Sequence, residues 1–545
     1  MVNLRRVEDR PTPKAVYNWR VWTLASTAAC ASMVIGYDSA FIGGTMALKS
    51  FTNEFGTLSA TTSANVVSTY QAGAFFGSLF GYPLGYFFGR KWGLFVAASI
   101  FCAASAIMCA ASHHTGLGPM YAGRVLAGAA IGSASNLAPM YIAEIAPSSI
   151  RGQLVGLYEL GWQIGGIVGF WINFGVDRNM APSHRQWLIP FAIQLVPGGL
   201  LLIGSLTLIE SPRWLLEHGD KEDAMRNLCK IRNLPPSHTY VIEEMSAMET
   251  QLEHERALVG TSFWGPFRET FMVGNIFKRV LLGSSLFAFQ NGAGINAVNY
   301  YSPTIFRSIG ITGTSTSLLT TGVFGIIKTI GAVIWILFFI DHFGRRIILM
   351  TGATGGAIFM FWIGAYIKIA DVKHKHATDG LKGGGISALV AFYLWTIFYS
   401  TSWNGTPWVV GAEIFPQQSR TVGQACMAAS NWLYNFAIAR ATPQMFAKMD
   451  YGVYIFFGSL MVLAIPYVYF VLPETKGIPL EAMDELFDAP VPIRKAHGWM
   501  VERLGDRSHA HGGKDDKGSS PEEEVVDEKM YAEERRSENV ALRQV

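Results

Sequence analysis

Charge is scarce in this chain. Only 15% of its 545 residues are Asp, Glu, Lys or Arg, against about 25% in a soluble domain, while 50% are hydrophobic. Cysteine is equally thin: Cys30, Cys102, Cys109, Cys229 and Cys426 are odd in number and scattered, which excludes a disulfide framework and the close spacing of a metal site. They read as small core residues. No nucleophile, base and third group cluster and no phosphate-binding loop appears, so the chain is not read as an enzyme and calls for no cofactor or metal. A net charge of +3 is too small to point to nucleic acid. The first twenty residues are polar and basic without an apolar h-region, so no cleaved signal peptide is expected and the first span serves as the insertion signal.

What the sequence has instead is apolar blocks about 20 residues long, the length that crosses about 30 Å of hydrocarbon. Read as runs bounded by charge, they fall near 21–43, 65–88, 93–113, 119–142, 152–175, 187–209, 278–302, 316–340, 345–368, 386–411, 421–446 and 451–472. The expectation is therefore an all-α membrane protein of about twelve transmembrane helices, six on each side of a polar segment. Both termini then share a compartment, and Arg5, Arg6, Arg10, Lys14, Arg20, Arg90, Lys91, Arg151, Lys278, Arg279, Arg345, Arg346 and Arg420 put that side in the cytoplasm. A loop with Lys368, Lys373, Lys375 and Lys382 falls on the other side and runs against the bias.

The divisions follow: 1–20 as a cytoplasmic start, 21–209 as one bundle, 210–277 as a cytoplasmic helical linker domain, 278–472 as a second bundle, and 473–504 as a cytoplasmic segment. Within the linker, Lys221 to Arg232 and Val241 to Arg256 carry apolar residues at helical spacing. From Gly505 to 545 the composition has too little apolar surface to fold and reads as a disordered tail, a place for cytoplasmic regulatory or ubiquitin-ligase contacts.

Phe287 to Tyr301 is the least ordinary span. Gln290, Asn291, Asn296 and Asn299 must face other helices or water, because amides in hydrocarbon cost free energy, and Gly292 and Gly294 weaken the helix at that depth. Two readings stand: a polar-solute site near the midplane, or amide glue between helices. Lys328, thirteen residues before Asp341, is too deep to snorkel easily. A cation there costs roughly 2.5–3.5 kcal/mol unless it meets an anion or a wet cavity. Its partner is either a substrate carboxylate or Glu159. Asp38 and Arg124 lie at matching depths in spans one and four, and form either a static ion pair or a group that binds and releases a proton.

The chain also repeats itself. Glu144-Ile-Ala-Pro-Ser-Ser-Ile-Arg151 and Glu413-Ile-Phe-Pro-Gln-Gln-Ser-Arg420 share one pattern, and Gly89-Arg90-Lys91 recurs as Gly344-Arg345-Arg346 after the second span of each half. Two matched halves can expose a site between them alternately. The charges at the helix ends either gate the inner side or simply follow topology.

These residues together resemble the sugar porter family of the major facilitator superfamily over nearly the whole length outside the tail. The match rests on Gly36-Tyr37-Asp38, Gly123-Arg124, Pro139-x-Tyr-x-x-Glu144, Glu210-Ser-Pro-Arg213, Gln290 through Tyr301, Trp408 with Glu413, Asn431-Trp432 and Pro473-Glu-Thr-Lys-Gly477. Within the family it looks most like the fungal quinate permeases, judging from Glu8 to Arg20, Tyr158 to Gly165 and Trp403 to Trp408. The resemblance implies the major facilitator fold and a multi-pass plasma-membrane symporter that imports quinate or a related polyol acid with protons. Gln163, Gln290, Asn291, Asn296, Lys328, Trp408, Asn431 and Trp432 would hold substrate, and Asp38 with Arg124 would couple protons. The cytoplasmic gate would comprise Arg90, Glu144, Arg151, Glu210, Arg213, Asp341, Arg345, Glu413 and Arg420. The alternatives are a carrier of neutral sugars or polyols and a transporter-like nutrient receptor. Tyr86 stands where the family has an aspartate, which implies a looser first charge cluster, and Gly166 stands where some members have Gln, which leaves the pocket wider. Asn404-Gly-Thr406 matches a glycosylation sequon but falls inside a span and is discounted.

Overall fold

The computed structural model describes residues 12–260, 262–311, 313–340, 342–370, 383–416, 418–478 and 483–512. Asp341, the basic loop residues Lys373, Lys375 and Lys382, the first eleven residues and the tail beyond Gly512 lie outside them. The described chain is helical, as its apolar blocks require. The first half contains α1 (Trp19–Ala47), α2 (Lys49–Phe55), α3 (Ala60–Cys109), α4 (Gly118–Ile145), α5 (Arg151–Asn179), α6 (His184–Ile193) and α7 (Leu195–Thr207). Four linker helices follow: α8 (Pro212–Glu217), α9 (Lys221–Arg232), α10 (Thr239–Val259) and α11 (Gly265–Met272). The second half contains α12 (Gly274–Gly292), α13 (Ile295–Ile309), α14 (Thr314–Ile334), α15 (Arg345–Ala370), α16 (Gly383–Ser400), α17 (Thr406–Glu413), α18 (Arg420–Met449) and α19 (Gly452–Val471). The described residues up to Lys476 form one compact unit; α20 (Met483–Phe487) and α21 (Ile493–Gly512) belong to a second, with its own core of Ile478, Met483, Leu486, Ala496 and Met500. The helix α21 continues past Gly505, where composition alone predicted no structure.

Among the described residues, seven helices are long and apolar enough to cross a membrane, or eight if a pair bent by 83° after α11 counts as one. Helix count and span count differ because polar residues interrupt the runs. The 50 residues of α3 extend about 75 Å at about 1.5 Å per residue, far more than one crossing, and the helix breaks at Gly89, whose φ of 83° only glycine adopts freely.

Three breaks shape the second half. The first was legible: Gly294 (φ 92°) separates α12 from α13. The second was not. Where one span over 386–411 was expected, α16 stops at Ser400 and α17 restarts at Thr406, with Pro407 in its first turn, where a missing N–H costs nothing. The third is a π turn over Trp335–Phe339 at the end of α14.

Candidate functional site

Both charge clusters are built within one half of the chain. Arg90 Nε donates to both Glu144 oxygens at 3.2 and 3.1 Å, and its Nη2 lies 2.8 Å from Oε1. Arg345 Nη2 reaches Glu413 at 2.7 Å. The expected looser first cluster is therefore corrected: Glu217 of α8 adds a carboxylate 3.8 Å from Arg90, while Tyr86 joins an aromatic group with Phe87, His218 and Phe263. Glu210 accepts from the N–H groups of Arg90, Lys91 and Ser211, and Glu474 does the same for Arg345, Arg346 and Lys476. Burial pushes the Glu210 carboxyl up despite those bonds. Arg213 bonds Glu255 at 2.6 Å, Arg420 donates to the Phe415 carbonyl at 3.3 Å, and Arg151 is exposed at the start of α5.

Cross-half ties lie elsewhere. At the end opposite the linker helices, Arg440 of α18 bonds the Asn65 side chain and the Thr61 carbonyl at the start of α3, and Ser315 of α14 donates to Asp177 of α5.

The Asp38–Arg124 pair is closed to solvent. The guanidinium donates to the two carboxylate oxygens at 3.2 and 3.4 Å, both side chains are 0% exposed, and Tyr70 lies over the guanidinium at 5.1 Å. Equal depth, read from the sequence, has become direct contact.

Around the break at Gly294 the amides join a chain that crosses three helices. Asn296 donates to Asn291, and Asn291 donates to Asn431 of α18 at 3.0 Å. Gln290 spends its amino group on the Trp403 and Asn404 carbonyls, at 2.8 and 2.9 Å, which the break between α16 and α17 leaves free. Its oxygen takes no hydrogen bond among the described residues. Trp408 packs edge-on against Phe287, and Trp432 against Tyr70. Trp432 Nε1 and Asn299 Oδ1 are buried with no hydrogen-bond partner among the described residues, although buried polar groups are nearly always satisfied.

Lys328 is 6% exposed on α14, and among the described residues its ammonium has neither an ion-pairing carboxylate nor a hydrogen bond. Glu159 of α5 feels its charge without touching it. Glu159 Oε1 accepts instead from Gln163 at 2.7 Å and from Asn404 at 2.9 Å. Glu159, Asn404, Asn296 and Trp408 are only half-buried, so they border accessible space.

Sequence reasoning missed Asn404. It was set aside as a sequon inside a span, yet Gly405 and Pro407 already announced the break that frees it to act as a side chain of the site.

The family model for "Sugar (and other) transporter" matches residues 24–487. The chain is a sugar porter of the major facilitator superfamily. This porter is 57% identical over 507 residues to the "Probable quinate permease" of Aspergillus niger, covering 92% of this chain and 94% of that one. It is 55% identical over 510 residues to the "Quinate permease" of Emericella nidulans, covering 93% and 96%. A solved structure of the proton:xylose symporter XylE superposes with a TM-score of 0.70 at 28% identity, covering 86% of this chain and 99% of that one. These relatives are permeases and transporters, so the porter is a multi-pass membrane carrier of a small molecule and not an enzyme.

Proposed function

We propose that this porter imports quinate, or a similar hydroxylated cyclic acid, by proton symport with alternating access. The observation that carries the reading is Lys328: a buried ammonium with no carboxylate or hydrogen-bond acceptor in contact with it among the described residues. A substrate carboxylate supplies that contact, worth about 1.5–3 kcal/mol as a charged hydrogen bond. The ring hydroxyls bond Gln290, Asn291, Asn296, Gln163 and Asn431, and Trp408 with Trp432 covers the ring faces. The names of the Aspergillus and Emericella relatives point the same way.

The reading includes twelve spans in two six-helix bundles, with the linker helices and both termini in the cytoplasm of a plasma-membrane protein. The linker side is then the inner side, and the ties of Arg440 and Ser315 close the outer one. Asp38, sealed against Arg124, gives up or takes a proton only when rocking opens that pair. The Arg90–Glu144 and Arg345–Glu413 clusters stiffen the inner ends of the halves and, with Arg151, Arg213, Arg420 and Asp341, form the inner gate.

Radiolabelled quinate uptake in a permease-deficient host tests this directly. Quinate should accumulate, an uncoupler should abolish accumulation, and excess glucose should not compete. Glucose competition with no quinate uptake would leave a neutral-sugar carrier as the reading.

A further inference from the structure

Glu159 is not explained by substrate binding as described so far. A carboxylate beside a site for a carboxylate repels it, yet Glu159 stands half-buried on α5, which packs directly against α14, the helix that carries Lys328. Its Oε1 holds two amides, one from its own helix and one, Asn404, from the other half of the chain. Its Oε2 takes no hydrogen bond among the described residues. The other titratable groups that feel it are Tyr158 on α5 and Tyr399 on α16, both neutral at working pH with phenols that ordinarily titrate near 10.

The empty site thus holds one cation and one anion near each other but unbonded. We propose that Glu159 is a resident counter-ion which the substrate's carboxylate displaces. The incoming acid takes the Lys328 ammonium and the Asn404 amide. Glu159, now without a cation in a low-dielectric site, takes a proton from hydronium on the open side, one O–H bond forming on the carboxyl as one breaks in hydronium to leave water, and none breaking in the substrate. Net charge at the site is then the same empty and loaded: ammonium with carboxylate in one case, ammonium with substrate carboxylate and neutral acid in the other.

Two consequences follow from that balance. The empty carrier reorients without a bare buried cation, and a neutral sugar, which cannot release Glu159 from Asn404, is rejected. Each acid also brings a proton on Glu159 in addition to the one assigned to Asp38. This inference rests on the carboxylate reading of Lys328, and its test separates the two.

Binding of radiolabelled quinate to the purified full chain in lipid nanodiscs, from mildly acidic to neutral pH, is the measurement. Glu159→Gln should bind roughly tenfold more tightly than wild type at neutral pH, the factor that one pKa unit of differential interaction represents, and should lose the tightening that wild type shows on acidification. Glu159→Asp, which keeps the charge, should keep the pH dependence. Unchanged or weaker binding by Glu159→Gln, or pH dependence equal to wild type, overturns the counter-ion role. If Lys328→Asn loses quinate affinity in that case, the carboxylate site survives without it; if Lys328→Asn binds as wild type does, both ideas fall.

Discussion

Two pairs of opposite charge within this porter are built differently. Asp38 and Arg124 belong to the first half, touch through two hydrogen bonds and have no accessible surface. Glu159 and Lys328 belong to opposite halves and do not touch; Glu159 is half-buried and already bonded across the halves through Asn404. The carboxylate of the first pair is saturated, bonded through both oxygens and sealed from solvent, so on the proposed reading only a conformational change alters its protonation. The second pair is unsaturated, so on the same reading a solute alters it. The proposed carrier uses both kinds: one group that responds to motion and one that responds to occupancy.

The largest effect expected is on the saturated pair. Arg124→Leu strands a buried carboxylate and should cost roughly 3–5 kcal/mol of stability, read as loss of monodisperse protein or a large fall in Tm. The double change with Asp38→Leu should recover most of it; a double variant no better than the single would mean that Arg124 acts through Tyr70 or the Val67 carbonyl instead. Asp38→Asn should abolish quinate accumulation against a gradient while sparing exchange of labelled for unlabelled substrate. Accumulation by that variant would move coupling away from this pair.

On the unsaturated pair, Lys328→Asn should raise the KM for quinate roughly 10- to 100-fold, the equivalent of about 1.5–3 kcal/mol, and gain measurable uptake of neutral hexose. An unchanged KM would place the acid elsewhere.

The smallest effect calibrates both pairs against an ionic cluster outside the spans. Glu54 of α2 accepts from Trp187 Nε1 at 2.7 Å and meets His184 at 2.9 Å. Burial pushes its carboxyl up, but these bonds and the His184 charge outweigh that and hold it below its ordinary 4.5. A carboxyl depressed by folding adds stability above its ordinary value and loses it as pH falls through the folded one. The Tm should therefore slip on acidification below about 4.5, and Glu54→Gln should flatten that limb. Equal acid sensitivity in both would show that the cluster adds nothing.

Depth was legible in the sequence; azimuth and neighbours were not. Counting residues from the helix ends set Asp38 level with Arg124, and the glycine pair announced the break at Gly294. The repeated motif put Glu144, Arg90 and Arg151 among the charges at the helix ends without choosing which arginine the carboxylate meets. Nothing in residue spacing could show that Gln290 turns its amino group onto the Trp403 and Asn404 carbonyls, because that depends on a break in a distant helix. The break itself lies in the polar stretch Ser400 to Thr406, ahead of Pro407, which reads as a continuation of the apolar run that precedes it. Tyr86 misled for a related reason: a missing charge was visible, but Glu217, which supplies one from another helix, was not.

The Glu210 and Glu474 carboxylates fasten the chain just past α7 and just past α19 to backbone amides at Gly89's break in α3 and at the start of α15. In mechanical terms each half is buckled to itself, so a torque between the halves finds little give at those ends. Compliance is left to the places where the helical ladder is already interrupted, at Gly294 and at residues 401–405. On the proposed reading the joints of the machine are thus next to its cargo, and a solute bound by Asn296 and Asn404 would hold the moving parts by their hinges.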